Sequence, residues 1–450
     1  MSSLPRSTPD DQGLSAAGID AFVAALDKSA QEFHTVVLVR HGQVVLEAEW
    51  TPYRLSDRHL LYSVSKSFTS TAIGLAVDAG LLSIDDKVVS FFGTDELPET
   101  ISPTLAAMSV RHLLTMSTGH ARDTVETITR DGHWVRSFLG LEVEHEPGAP
   151  FVYNSGASYL LSAILQRVSG ETLLEYLQSR LFEPLGITEA TWGTSPEGVT
   201  LGGWGLSLST ESMAKFGQLL LQHGVWEDRQ LVPAEWIEAA TSKQVPNDTW
   251  DNADSRQGYG FQFWRGRHNT YRADGAFGQF VTVIPEHDVV IAVTSASPDM
   301  QAAQDVIWDH LLPVLDGKEV PVVARPERLE LPAPTGPAPQ GGDGRTYTFP
   351  KNPGFLRTAR WDADGSAYLT FYDSEAETEG YVFAAGDWRE QPDRVVTSAC
   401  GDGDSLVATI RWLTGPHAAE FSCRIADGRM SVQGTLNVSF SPLEFTITSE

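Results

Sequence analysis

The most informative segment of the sequence reads Leu60-Leu61-Tyr62-Ser63-Val64-Ser65-Lys66-Ser67-Phe68. Ser63 and Lys66 are three residues apart, a spacing that places both side chains on one face of a helix, about one turn apart. A serine at the start of a helix lies where free N–H groups and the helix dipole favour developing negative charge. A lysine that apolar neighbours desolvate has a lowered pKa and can accept the serine proton. The segment therefore predicts a nucleophile with its own base.

A motif of two fixed positions also occurs by chance in a long chain, so it needs support from elsewhere. Ser212-Met213-Ala214-Lys215 matches the same motif, inside a helix predicted over 210–223. The apolar stripe from Met213 to Leu220 indicates the side of that helix that faces the core. We therefore expect Ser212 and Lys215 to face water and to take no part in catalysis.

Two further segments carry chemistry of their own. Tyr153-Asn154-Ser155 lies on a turn-rich loop that runs into a predicted helix, where the tyrosine can point into a cleft. A buried tyrosine followed by a helix-capping Asn or Ser is the alternative interpretation. Ala273-Asp274-Gly275 leads into a predicted strand, and glycine there lets a substrate approach the backbone closely. An ordinary β-turn is the alternative for this second segment.

With these segments in this order, the chain resembles the penicillin-recognising serine hydrolases over about residues 9 to 315. That group contains class C β-lactamases, D-alanyl-D-alanine carboxypeptidases, family VIII carboxylesterases and aminohexanoate-oligomer hydrolases. The resemblance rests on three ordered motifs and two supporting phrases, namely Ser63–Lys66, Tyr153–Ser155, Ala273–Gly275, His112–Gly119 and Gly203–Ser207.

The resemblance implies a role for each matched residue. Ser63 attacks the acyl carbon and forms an acyl-enzyme, while Lys66 and Tyr153 share the general-base work. A close lysine ammonium is expected to lower the pKa of Tyr153 from its usual value of about 10. Ser155 holds Lys66 and the substrate. The backbone N–H groups of Ser63 and Ala276 form the oxyanion hole.

The third motif departs from the pattern of the group. β-Lactamases and carboxypeptidases usually carry lysine or histidine at the position of Ala273, where the cation binds a substrate carboxylate. Arg272 is a poor substitute, because consecutive side chains of a strand point to opposite faces. With Ala273 and Gly275 beside the substrate, an anionic substrate loses a contact worth about 1.5–3 kcal/mol. The sequence therefore favours carboxylic esters or linear amides as substrates.

Two alternatives to this hypothesis stay open at the level of sequence. One is a β-lactamase, a D-alanyl-D-alanine carboxypeptidase or a D-aminopeptidase. The other is a non-catalytic binding protein on a hydrolase scaffold, against which the joint presence of Ser63, Lys66 and Tyr153 argues. The loops over 120–150 and 243–258 are expected to supply the walls of the substrate pocket.

Strand patterns at both ends of residues 1–325, with helices between them, predict an α+β fold. The resemblance specifies a β-lactamase-like α/β sandwich, an antiparallel sheet flanked by helices with an all-helical region beside it. Residues 326–344 are a Pro/Gly-rich linker, and residues 345–450 a small all-β domain. The clearest predicted elements are a hairpin of 35–40 with 43–47, helices at 63–79, 109–116, 156–168, 171–180, 233–241 and 302–315, and strands at 258–264, 279–284 and 289–294.

The amino-acid composition limits the kinds of partner that the protein is expected to bind. Acidic residues number 59 against 32 basic ones, a net charge of -27, which repels phosphate backbones and makes nucleic acid an unexpected partner. No apolar run is long enough to span a membrane, and the N-terminal residues show no signal-peptide pattern, so we expect a cytoplasmic protein. No metal or cofactor motif is present. Cys400 and Cys423 leave one disulfide open as a possibility, and the oligomeric state is not indicated.

Overall fold

The computed structural model describes residues 3–148, 150–372, 378–402 and 404–450, and the chain divides into two compact units. The first unit comprises Met1–Ala48, Arg58–Ser295 and Asp299–Pro326. The second comprises Glu49–Asp57, Ala296–Pro298 and Glu327–Glu450. Residues 327–344 contain no helix or strand.

A six-stranded sheet runs through the first unit. The strands of this unit are β1 (Glu32–Arg40), β2 (Gln43–Glu49), β3 (His59–Leu60), β4 (Thr191–Trp192), β5 (Leu206–Leu208), β6 (Val225–Trp226), β7 (Arg229–Gln230), β8 (Trp264–Arg265), β9 (Tyr271–Gly275), β10 (Gln279–Ile284) and β11 (Val289–Ala296). The large sheet has the order β2-β1-β11-β10-β9-β8, and β11, β10, β9 and β8 pair antiparallel. Strands β9, β10 and β11 are buried along their whole length, which fits the apolar residues of β10 and β11, whereas β9 buries Arg272 and Asp274 as a pair.

Helices pack around this sheet. They are α1 (Ala16–Lys28), α2 (Ser65–Asp78), α3 (Pro103–Ala107), α4 (Val110–Leu114), α5 (Val125–Ile128), α6 (Trp134–Leu139), α7 (Ser155–Ser169), α8 (Leu173–Leu177), α9 (Thr210–Leu221), α10 (Ala234–Thr241), α11 (Met300–His310) and α12 (Leu312–Leu315). Helix α2 is buried over most of its length and contacts α7. Ser15 caps α1 by accepting a hydrogen bond from the Gly18 amide, and Gly80 follows α2 with a φ of 68°.

The predicted α+β fold is confirmed, as are the first hairpin and most helices, while one predicted strand is wrong. Residues 258–264 are bent, and only Trp264 enters a strand. Gly258 and Gln262 have positive φ, and a side chain at Gly260 would collide with the Ala240 carbonyl, so this backbone cannot run extended. The predicted closing helix is broken into α11 and α12 around Leu311, just before Pro313, which has no N–H to donate.

The second unit is built from antiparallel strands. They are β12 (Thr346–Thr348), β13 (Leu356–Trp361), β14 (Ala367–Tyr372), β15 (Thr378–Phe383), β16 (Arg389–Gln391), β17 (Val395–Asp402), β18 (Ser405–Trp412), β19 (Ala418–Ala426), β20 (Arg429–Leu436) and β21 (Glu444–Thr448). A sheet of β12 to β15 and a sheet of β16 to β21 share one core, which includes Leu369, Phe383, Leu406 and Phe421. The predicted all-β C-terminal architecture is therefore confirmed.

Two further observations concern the cysteines and the possibility of membrane-spanning helices. Cys400 and Cys423 are both buried free thiols. None of the helices in the described residues has the length and apolar character that crossing a membrane requires.

Candidate active site

A short 3-10 turn, Tyr62–Val64, connects strand β3 to helix α2 and presents Ser63. The Leu61 amide donates to the Leu206 carbonyl (2.9 Å), which fixes the entry of the turn. The Ser65 hydroxyl donates to the Tyr62 carbonyl (2.6 Å). Ser63 is partly exposed while the residues around it in α2 are buried. The turn therefore holds one accessible hydroxyl against a rigid, buried helix.

Lys66 is buried on the first turn of α2 and contacts three oxygen atoms. Its Nζ lies 3.0 Å from Ser63 Oγ, 3.2 Å from Ser155 Oγ and 2.8 Å from the Gly203 carbonyl oxygen. Burial lowers the pKa of Lys66 to about 7, although the negative charge of Asp123 acts in the opposite direction. A neutral amine can donate to Gly203 and Ser155 and accept the proton of the Ser63 hydroxyl.

Tyr153 completes a triad of reactive groups. Lys66 Nζ lies 4.8 Å from the centre of its ring, and its hydroxyl forms a hydrogen bond with Ser63. The expected lowering of the Tyr153 pKa is wrong: burial raises it well above 10, the charges of Asp274 and Asp123 add to the rise, and the Ser63 hydrogen bond only opposes it. Tyr153 is therefore a neutral phenol at neutral pH.

Ser155 opens helix α7 directly after Tyr153. Its hydroxyl faces Lys66, and its amide donates to Asp123 Oδ1 (2.9 Å). Asn154 caps the helix by accepting from the Gly156 and Ala157 amides. The segment thus contains the helix-capping Asn of one interpretation, while Tyr153 is partly exposed and its ring lies beside Lys66.

The turn between β9 and β10 lies against the segment that carries Ser63. A Cβ atom on Gly275 would lie 2.2 Å from the Leu61 carbonyl oxygen, so the two backbones touch. The rings of Tyr62 and Phe277 meet edge to face at 5.4 Å. Within the described chain, the Ala276 amide has no backbone acceptor. An N–H of this kind is what an oxyanion hole needs.

The third motif offers no free cation. Ala273 is buried on β9 and pairs with Val281 across the sheet. Arg272 is 1% exposed, and its Nε donates to Asp274 Oδ2 at 2.7 Å. A further nitrogen of Arg272 donates to Ser255 Oγ at 2.9 Å. Arg272 is therefore bound internally.

Comparison with known proteins agrees with this geometry. Residues 19–314 match the beta-lactamase family. The chain belongs to that family. This confirms the predicted resemblance and makes the chain a hydrolase of the β-lactamase-like serine type.

Two curated relatives are hydrolases by name. The 6-aminohexanoate-dimer hydrolase of Paenarthrobacter ureafaciens is 26% identical over 288 residues, which are 58% of this chain and 72% of that protein. The lovastatin esterase of Penicillium rubens is 28% identical over 174 residues, 33% of this chain and 43% of that protein. Among solved structures, an octameric penicillin-binding protein homologue from Pyrococcus abyssi covers 96% of this chain and 99% of its own, with a TM-score of 0.54 and 18% identity. The last likeness concerns the fold alone.

Two residues of this beta-lactamase-family site received no role from the sequence. Gly203 lies in a segment that supported the resemblance, and its carbonyl accepts from Lys66. A Cβ atom there would lie 2.9 Å from the Ser155 carbonyl oxygen and 3.5 Å from Lys66 Nζ, so only glycine fits without displacement. Asp123 lies in the 120–150 loop, where no local pattern distinguishes it from other loop carboxylates.

The second Ser-x-x-Lys match has no such surroundings. The expectation that Ser212 and Lys215 face water is wrong, since both are buried in α9. Ser212 donates to Glu189 Oε1 (2.5 Å), and Lys215 donates to the Gly186 carbonyl (3.4 Å). Each of the two side chains thus forms a hydrogen bond with a nearby segment, at Glu189 or Gly186, and the two do not bond to each other.

Proposed function

We propose that this chain hydrolyses carboxylic esters or linear amides through an acyl-enzyme on Ser63, with Lys66 as the base. The observation that carries the proposal is the buried Lys66 amine, 3.0 Å from Ser63 Oγ, with a pKa lowered to about 7. At neutral pH a large fraction of this amine is unprotonated and can accept the hydroxyl proton.

The steps follow from these positions. Ser63 Oγ bonds to the carbonyl carbon while its proton passes to Lys66 Nζ, and the Ser63 and Ala276 amides stabilise the oxyanion. The bond to the leaving oxygen or nitrogen then breaks. The neutral Tyr153 hydroxyl supplies the leaving atom with a proton, and the Lys66 ammonium returns the proton it took from Ser63 to the Tyr153 oxygen. Water repeats the attack on the acyl-enzyme with Lys66 as the base, releasing the acid and restoring Ser63.

The substrate class rests on charge. The third motif presents Ala273 and no cation, and Arg272 is bound to Asp274. A β-lactam or peptide carboxylate would lose a charge-assisted contact worth about 1.5–3 kcal/mol. We therefore favour small neutral esters and linear amides. Asp123 is a positioning residue in this proposal, since it binds the Ser155 amide beside Lys66.

Labelling with a fluorophosphonate tests the proposal. Mass spectrometry should find one adduct, on Ser63, and Ser63→Ala should lose both the adduct and the hydrolysis of p-nitrophenyl esters. A single missing oxyanion donor already costs about 100-fold or more in kcat, so loss of the nucleophile must reduce activity to background.

Ser212→Ala is the matched control, because it removes the serine of the second motif and leaves the reactive groups in place. It should label and hydrolyse like the wild type. An adduct on Ser212, or full activity of Ser63→Ala, contradicts the proposal. Faster turnover of nitrocefin than of p-nitrophenyl esters would favour the β-lactamase alternative.

A further inference from the structure

Aromatic rings surround the ring of Tyr153. Trp264 stacks against it at a centroid distance of 5.5 Å, and Tyr259 and Trp250 lie at 6.4 Å and 6.2 Å. Phe151 joins the group through Trp250 at 6.0 Å and Trp264 at 5.8 Å. The reactive phenol is thus one member of a continuous aromatic cluster.

The cluster has a buried back and an accessible front. Tyr259 and Trp264 are 1% and 6% exposed and form the back. Trp250 is 38% exposed, and Phe151 is only partly buried. We call these two residues the aromatic rim. A large, exposed indole beside a reactive centre is the kind of apolar surface that binds a ligand.

The rim is also uncharged. Phe151 packs against a buried group of Met116, Tyr259 and Trp264, and Val245 packs against the same group. Two basic side chains lie over other rings of the cluster: Lys66 Nζ is 4.8 Å from the Tyr153 ring, and the Arg272 guanidinium, bound to Asp274, is 5.9 Å from the Trp264 ring. Such a surface stacks well with a neutral aromatic group and offers no charged partner to an anion.

The position of the rim assigns it to one side of the substrate. In the proposed function, on which this inference rests, the Tyr153 hydroxyl gives its proton to the leaving atom. That atom must then lie within hydrogen-bond reach of Tyr153, roughly 2.6–3.2 Å. The leaving group therefore projects among the neighbours of Tyr153, whereas the acyl group projects from the other side of the carbonyl carbon. We propose that the aromatic rim, Phe151 and Trp250, binds an uncharged aromatic leaving group, such as a benzyl-type alcohol or amine.

Isomeric esters test this assignment. Benzyl acetate carries its ring on the leaving group and methyl phenylacetate carries it on the acyl group, and ethyl acetate lacks the ring. The wild type should prefer benzyl acetate to ethyl acetate in kcat/KM. Trp250→Ala should lower kcat/KM for benzyl acetate by about tenfold, the scale of one lost aromatic contact with its buried area. Its values for the other two esters should stay nearly unchanged, and Trp250→Phe should retain most of the preference.

Trp226→Ala is the matched control, a partly buried tryptophan in the two-stranded sheet β6-β7, and it should keep the wild-type preference. A loss confined to methyl phenylacetate would overturn the assignment to the leaving group. An equal loss on all three esters, or no loss on benzyl acetate, would show that Trp250 does not select the leaving group. A failure of the proposed function appears separately, as ethyl acetate hydrolysis that survives Ser63→Ala.

Discussion

At the scale of single residues, the decisive quantity is the protonation state of Lys66. Burial removes the water that would stabilise an ammonium ion, and the pKa falls from 10.5 to about 7. Asp123 limits the fall, because its charge favours the ammonium form. Tyr153 is affected by the same burial in the opposite sense, since its charged form is the anion. One environment thus makes the amine a base and keeps the phenol a proton donor.

The pH dependence of activity follows from this assignment. Below a pH of about 7 Lys66 is protonated and cannot accept the Ser63 proton, so kcat/KM should rise through that pH and level off above it. The expected measurement is kcat/KM for a neutral ester between pH 5 and about 9. No fall is expected at the alkaline end from Tyr153, because its pKa is raised well above 10.

Two lysine variants test whether the titration of Lys66, and not a general effect of pH, causes the rise in kcat/KM. Lys66→Arg should lose activity at every pH, because a guanidinium does not give up its proton. Lys215→Arg, at the other buried lysine of a Ser-x-x-Lys match, should keep the wild-type profile. A flat profile for the wild type would contradict a Lys66 base that titrates near 7. An inflection that persists in Lys66→Arg would show that another group titrates.

Sequence reasoning singled out Ser63, Lys66 and Tyr153 because their types and order carry chemical meaning, and their catalytic roles stay a prediction. It did not find Asp123 or Trp250, although it named both of their loops as pocket walls. Their roles depend on contacts with residues far along the chain, Ser155 and Tyr153 respectively, and no local pattern encodes such contacts.

At the scale of elements, helix α7 depends on one buried cap. Asn154 Oδ1 accepts from the Gly156 and Ala157 amides and from both the amide and the hydroxyl of Thr124. Asn154 is fully buried, so these donors have no water to replace it. The cap also holds the backbone between Tyr153 and Ser155, and therefore couples the stability of the helix to the geometry of the site.

We expect Asn154→Ala to lower the free energy of unfolding by about 1–3 kcal/mol, the cost of leaving buried donors unsatisfied, and to reduce kcat/KM as well. Urea unfolding and ester kinetics measure the two effects. Ser15→Ala removes the cap of α1 and should cost about 1 kcal/mol with no change in kcat/KM. Equal kinetic effects of the two variants would show that the cap of α7 does not position the site.

Periodicity predicted most elements well, because helix faces and turn residues repeat on short scales. It failed over 258–264, where alternating aromatic residues are typical of a strand but instead fill the bent segment around Tyr259 and Phe261. There, glycines and a close backbone contact at Gly260 override the pattern. Whether the segment is buried depends on its tertiary surroundings, and a short stretch of sequence carries no information about them.

At the scale of the whole molecule, charge selects substrates before any contact forms. The chain carries 59 acidic and 32 basic residues, a net charge of -27. Such a field lowers the local concentration of anions and slows their approach. The neutral third motif acts in the same direction at short range, because Ala273 offers an arriving carboxylate no cation. The global charge and the local site therefore both disfavour anionic substrates.

Repulsion by the net charge of the chain depends on salt, whereas the missing cation at Ala273 acts at short range. Experiments at different salt concentrations can therefore separate the two effects. Monomethyl succinate is an anionic ester, and dimethyl succinate is its neutral counterpart with the same acyl chain. The Debye length falls from roughly 30 Å at 0.01 M salt to about 8 Å at 0.15 M, so added salt should raise kcat/KM for the anionic ester and leave the neutral one unchanged. If kcat/KM for the anionic ester stays below that for the neutral ester at high salt, the remaining difference reports the missing cation at Ala273. Faster turnover of monomethyl succinate at low salt would instead reveal a cationic group at the site and contradict the substrate class inferred from Ala273.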